Sequence, residues 1–95
     1  MIRYYAIADH AEYGESQIVS KTYRHYTSGS ASSIRRNRQA HEDLADALRC
    51  ASQEGFYNLR VVRETIAVRN GVWVETDVTT TSVSIPDLTF YTSQL

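Results

Sequence analysis

Residues 64–77, "ETIAVRNGVWVETD", decide how this chain folds, because two β-branched runs flank an Asn-Gly pair. Such a pattern signals a β-hairpin, but two loops fit it and they turn opposite faces inward. With Asn70-Gly71 as a two-residue type I′ turn, Val68 faces Trp73, Ile66 faces Glu75 and Glu64 opposes Asp77. That register mixes apolar and charged residues on both faces and sets two acids together. With the loop Arg69-Asn70-Gly71 and a left-handed Gly71 in a G1 bulge, Val68 pairs with Val72, Ile66 with Val74 and Val62 with Val78. Arg63 then meets Asp77, Thr65 meets Glu75 and Ala67 meets Trp73. One face becomes aliphatic and the other polar, and burial of an apolar face normally selects register. The three-residue loop is therefore expected, with Trp73 on the face away from the helix.

Working outward, "IRYYAIADH" (2–10) and "QIVSKTYRHYT" (17–27) read as strands around the turn "AEYGES". The Ser-rich linker 28–33 leads to a helix, "IRRNRQAHEDLADALRCASQEG", with Ser33 as N-cap or Asn37 if the first turn frays. Ala40, Leu44, Ala47, Leu48 and Ala51 form its apolar stripe, and Gly55 its left-handed stop, with Phe56 folding back. After the hairpin, "VTTTSVSI" extends the last long strand until Pro86, and "DLTFYT" adds a short edge strand. The expected class is α+β: a single antiparallel sheet of four to five strands (ββαββ) with one helix packed on one face, forming one domain over residues 1–95.

The 95 residues suffice for one thin core, with roughly 60–65% of the unfolded surface buried. The chain is 42% apolar and 22% charged, with a net charge of −1, which gives no global basic field for nonspecific nucleic-acid binding. Cys50 is the single cysteine, so no internal disulfide forms and no Cys/His zinc set exists. No apolar run reaches the ~20 residues that cross a bilayer, and "MIRYYAIADH" lacks the apolar block of a signal peptide. A cytoplasmic domain without membrane contact is expected. Of the ten basic residues only Lys21 is lysine, and there are seven tyrosines. Arginine, tyrosine and tryptophan are the residues enriched at protein–protein hot spots.

Motifs for chemistry are sparse. The glycines are isolated, so no phosphate loop is present. His10, His25 and His41 lie on different elements, and Cys50 and His41 sit about 180° apart on one helix. No catalytic, cofactor-binding or metal-ligating residue is assigned, and a non-enzymatic role is expected. Arg35, Arg36 and Arg38 crowd the helix start, where positive charge opposes the macrodipole. They read either as phosphate or acidic-surface contacts, or as a solvated end with Arg38 paired to Glu42. Glu42, Asp43 and Asp46, with Asp9, Glu12 and Glu15, read as soluble surface or as an acidic mimic of nucleic acid. The uncharged, Thr-rich end of the last strand invites a second chain, so a homodimer through an edge strand is a further expectation.

The order strand, strand, Ser-rich loop, Ala-rich helix, then Arg63, Glu64, Thr65, Asn70, Gly71 and Trp73 resembles small phage-encoded anti-CRISPR proteins, over residues 60–77. The resemblance implies a phage-type inhibitor that docks on a Cas protein of a type I surveillance complex and blocks DNA entry or nuclease recruitment. Trp73, Arg35, Arg36, Arg38, Tyr4, Tyr23 and Tyr26 are the expected contact residues. The alternative is a nucleic-acid-binding module, in which the sheet tyrosines stack bases and the arginines hold phosphates.

Overall fold

The computed structural model describes residues 1–88. It contains β1 (Ile2–His10), β2 (Gly14–Ile18), β3 (Tyr23–His25), α1 (Ala31–Gln53), β4 (Tyr57–Arg69), β5 (Val72–Ser82) and a short 3-10 turn at Ile85–Asp87. All ladders are antiparallel. The sheet runs β2-β1-β4-β5, and β3 lies beside β1 on the same flank as β2. This is the expected α+β class, one helix on a four- to five-stranded sheet, but the fifth strand has another origin. The expected strand 17–27 is broken at residues 19–22, because the Ser20 hydroxyl accepts the Ala6 N–H at 2.8 Å in place of a backbone carbonyl. The chain then rejoins β1 as β3, with Tyr23 opposite Tyr4. Of the expected edge strand "DLTFYT", Asp87 ends the 3-10 turn and Leu88 is fully buried in the core; its remaining residues lie outside the described ones.

The helix begins earlier than Ser33. Ser30 is extended and its Oγ accepts the Ser33 N–H at 3.1 Å, so Ser30 is the N-cap. Ser33 is buried instead, its hydroxyl bonded to Ser28 and Ser30. Asn37 clamps the incoming chain by accepting from Tyr26 N at 2.9 Å and donating to Tyr26 O at 2.8 Å. The Ser-rich loop offers several equivalent caps, and the one used is fixed by where Tyr26 is tied. At the other end Gly55 has φ +94°, Gly55 N–H bonds Ser52 O and Phe56 N–H bonds Ala51 O, a Schellman closure.

Leu44, Leu48 and Ala51 pack on Tyr4, Ala6, Ala8, Leu59 and Val61, and Leu88 closes one end. The alanines of β1 let the helix lie close to the sheet, and each fully buried leucine contributes roughly 1.5–3 kcal/mol. Ala40 and Ala47 of the expected stripe are only half-buried, while Ala45 and His41 are buried.

The hairpin register differs from expectation. Asn70 and Gly71 have φ +53° and +76°, and Arg69 pairs with Val72, Val68 with Trp73, Ala67 with Val74 and Ile66 with Glu75. Both central residues are left-handed, as a two-residue type I′ turn requires. A bulge at Thr76 then shifts the ladder, so Thr65 pairs with Asp77 and Glu64 with Val78. The acid-on-acid contact that counted against this turn is removed by that one extra residue. Burial does not choose the register, because every residue of β5 is exposed and α1 makes no contact with β5. Turn chemistry decides where none of the described elements covers the strands.

Candidate partner-docking surface

Tyr4, Ala6 and Val61 meet the helix, so their neighbours Arg3, Tyr5, Val62 and Glu64 lie on the opposite face of the sheet. By the same alternation Ile66, Val68 and Trp73 share that open face. The aliphatic side of β4 therefore turns away from the helix together with the indole, and not beneath the helix as the three-residue loop required. Trp73 still faces away from the helix, but opposite Val68 rather than Ala67.

β1 stops supporting β4 at Met1, whose amino group and carbonyl both bond Ile66 at 2.7 Å. From Ala67 to Val74 the hairpin continues as a two-stranded ribbon beyond both β1 and the helix. Its tip is apolar on both faces: Val68 is 56% exposed, Val72 61% and Trp73 61%, with Val74 beside them. An isolated ribbon of two strands is marginal in water, so covering these side chains stabilises it as well as the contact. Sequence reasoning singled out Trp73 but missed Val68, Val72 and Val74 as its neighbours; the Asn-Gly pair carried the signal, since the type I′ register leaves them all on an uncovered tip.

At the ribbon's base the open face carries a polar network. Glu64 is 7% exposed and accepts from Arg3 Nε and from Tyr5 OH, the latter at 3.1 Å. Glu64 holds the Arg3 guanidinium in its charged form, and burial followed by the Glu64 carboxylate pushes the Tyr5 phenol upward. Asp9 and Arg60 form a second ion pair further along β1 and β4, which takes Asp9 out of any exposed acidic surface.

Arg35, Arg36 and Arg38 are exposed and make no ion pair among the described residues; the Arg38–Glu42 pairing is not formed. Arg36 lies 5.3 Å from the Tyr26 ring centre and Arg24 5.1 Å from it. Tyr26 follows β3 at the end of the sheet where Ile2 pairs with His25, which is also the end from which the ribbon projects. Three strand spacings, about 14 Å, separate β3 from β5. Tyr26, Arg36 and Trp73 are thus brought to one end of the molecule. Tyr4 is not available there: it is 4% exposed, stacked on Tyr23 at 5.7 Å and tilted against His41 at 5.5 Å beneath the helix. Tyr23 is half-buried against the same core. Both are corrected from contact surface to packing residues, because even-numbered positions of β1 face the helix and Tyr23 pairs directly opposite Tyr4.

The histidines are partly gathered. His25 and His41 stack at 6.2 Å, and burial lowers both, His41 to about 4, its neighbour His25 adding to the effect. His10 stands apart, stacked on Tyr13 at 4.4 Å and tilted against Phe56 at 4.7 Å. Among the described residues no group of three or more His, Cys, Asp or Glu is placed to hold a metal ion. Among them too, no helix is long and apolar enough to cross a membrane. Comparison of the chain with protein-family models, with curated proteins and with solved structures returned no match.

Proposed function

We propose that this chain is a non-enzymatic protein-binding inhibitor or adaptor that docks through the ribbon tip, with Trp73 as its anchor and Val68, Val72 and Val74 around it. The observation that carries this reading is the indole: 61% exposed at the end of a ribbon that no other described element covers. Exposed apolar surface of this kind is what protein interfaces use at their centres. Tyr26 with Arg24 and Arg36 supplies a polar rim on the same end of the molecule.

The test is capture from the native host with the wild-type chain and with Trp73→Ala as parallel baits. A partner retained by the first and reduced about 30-fold or more in affinity by the second supports the reading. Equal retention by a folded Trp73→Ala chain overturns it. The Cas target implied by the resemblance rests on residues 60–77 alone and has its own test: target-DNA binding by a type I surveillance complex with stoichiometric chain added. Unchanged DNA binding and nuclease recruitment remove that target and leave the docking reading standing.

A nucleic-acid module is the second reading, favoured by the unpaired arginines and the Arg24–Tyr26–Arg36 stack. Burial of Tyr4 takes away the stacking platform on the sheet that it needs. Its signature is affinity that falls steeply with salt, and a gel shift without binding at low salt eliminates it.

A further inference from the structure

The outer edge of β5 is a feature distinct from the side chains at the ribbon tip. Ile66 exchanges both backbone groups with Met1. Even-numbered residues of β4 therefore point toward β1 and odd-numbered ones toward β5. Thr65, Arg63 and Val61 pair with Asp77, Thr79 and Thr81, so these three β5 residues direct their N–H and C=O groups inward. Val78, Thr80 and Ser82 direct theirs away from the sheet. Among the described residues nothing lies on that side, and all of β5 is exposed.

Proteins usually blunt such an edge with lysine, proline or a bulge. Here the bulge sits at Thr76, on the tip side, and Pro86 lies past the strand's end, which leaves Val78–Ser82 regular and free of charge. The sheet's other edge is unlike it. It is split into β2 and β3, and β2 carries left-handed Gly14 and Ser16, at φ +102° and +55°. An incoming strand finds no continuous ladder there. Head-to-tail association of β5 with β2 is thereby disfavoured, and a self-complementary contact remains.

We propose that two copies of this chain associate by antiparallel pairing of β5 with β5 about a two-fold axis at Thr80, joining their sheets into one. Thr80 then faces Thr80 of the second copy, Val78 faces its Ser82, and outward groups meet outward groups. Asp77 falls opposite Val83, so no acid meets an acid. Threonine pairs across strands are favourable, whereas an axis at Thr76 sets Glu75 against Asp77. The contact is about 17 Å long, at the small end for protein interfaces, so the dimer forms in the micromolar range or above.

Sedimentation of the full chain over rising concentration tests this, with the mass expected to climb from 10.8 kDa toward twice that value. Thr80→Pro removes an outward N–H without touching the β4 ladder, and is expected to weaken the dimer about tenfold or more. Should that variant fail to fold, hydrogen exchange on the wild-type chain decides: the amides of Val78, Thr80 and Ser82 slow as concentration rises, and those of Trp73 and Glu75 do not. A mass that stays at 10.8 kDa at the highest concentration overturns the proposal, and so does a dimer in which those three amides exchange at the monomer's rate.

Discussion

Asp9 and Arg60 form an ion pair at the place where both ladders flanking β1 slip register. The same carboxylate accepts from Ser16 N at 2.9 Å and from Asn58 Nδ2 at 2.8 Å. Ser16 and Asn58 are left-handed, at φ +55° and +54°, so one side chain anchors a strained residue on each neighbouring strand. Asp9→Ala leaves Arg60 without its partner and both irregularities without their tie, and is expected to lower the thermal midpoint by roughly 5–10 °C. The donors, Ser16 N–H first and then Asn58, hold the Asp9 carboxyl below its usual 3.8. The unfolded chain therefore takes up the proton first, and this anchor's contribution is present above pH 3.8 and lost on acidification below it. A midpoint within 1–2 °C of wild type, a surface-level effect of about 0.5 kcal/mol or less, would sink the anchoring role.

His41 supplies a pH dependence at a higher range. It is 3% exposed, packed on Tyr4 and His25, and its Nε2 is buried without a hydrogen-bond partner among the described residues. Arg63 also faces this cluster, through its effect on His25. The ring charges near 6.5 when unfolded and near about 4 when folded, so the unfolded chain binds more protons between those values. Stability is thus complete above pH 6.5 and falls as pH drops toward 4, by an amount on the order of 2 kcal/mol after solvent screening. His41→Leu is expected to flatten the urea midpoint over that window while keeping the Asp9 loss below it. An unchanged slope in the variant would show that His41 is not the titrating group.

The helix stripe, the Gly55 stop, the β1–β2 pairing and the strand–Asn-Gly–strand unit were legible in the sequence, since each rests on local periodicity or local turn chemistry. The hairpin register was not, because burial selects register only where a layer covers the strands, and none of the described elements covers this ribbon. With no burial to satisfy, Asn70 and Gly71 simply adopt the turn their φ angles favour. The break at residues 19–22 depends on one side-chain hydroxyl, Ser20, reaching a distant amide, which no pattern reports. Tyr4 was misplaced for a related reason. Alternation along β1 shows that Tyr4 and Tyr5 face opposite ways, but only the helix's position shows which of them is covered.

The type I′ register has a direct spectroscopic check. Val68 and Trp73 form a non-hydrogen-bonded pair, the class in which opposed Cα atoms approach to about 4.5 Å. A strong Hα–Hα cross-peak between these two residues is expected in solution. The three-residue loop brings Ala67 opposite Trp73 instead, and a cross-peak there would reverse the assignment. Gly71→Val forces a β-branched residue to φ +76° and is expected to cost about 1–2 kcal/mol, observed as faster amide exchange in residues 67–74 with β1 and α1 unaffected.

The ribbon and the core are separable by mutation. Leu48 is fully buried between helix and sheet, so Leu48→Ala is expected to cost about 2–5 kcal/mol in urea unfolding. Trp73 is 61% exposed and pairs with Val68 across the ribbon, so Trp73→Ala is expected to cost less than about 1 kcal/mol. A Trp73→Ala chain that folds nearly as well as the wild type is the outcome the proposed docking role requires. If Trp73→Ala instead unfolds as readily as Leu48→Ala, the indole is a structural residue, and binding lost in that variant would report unfolding rather than a missing anchor.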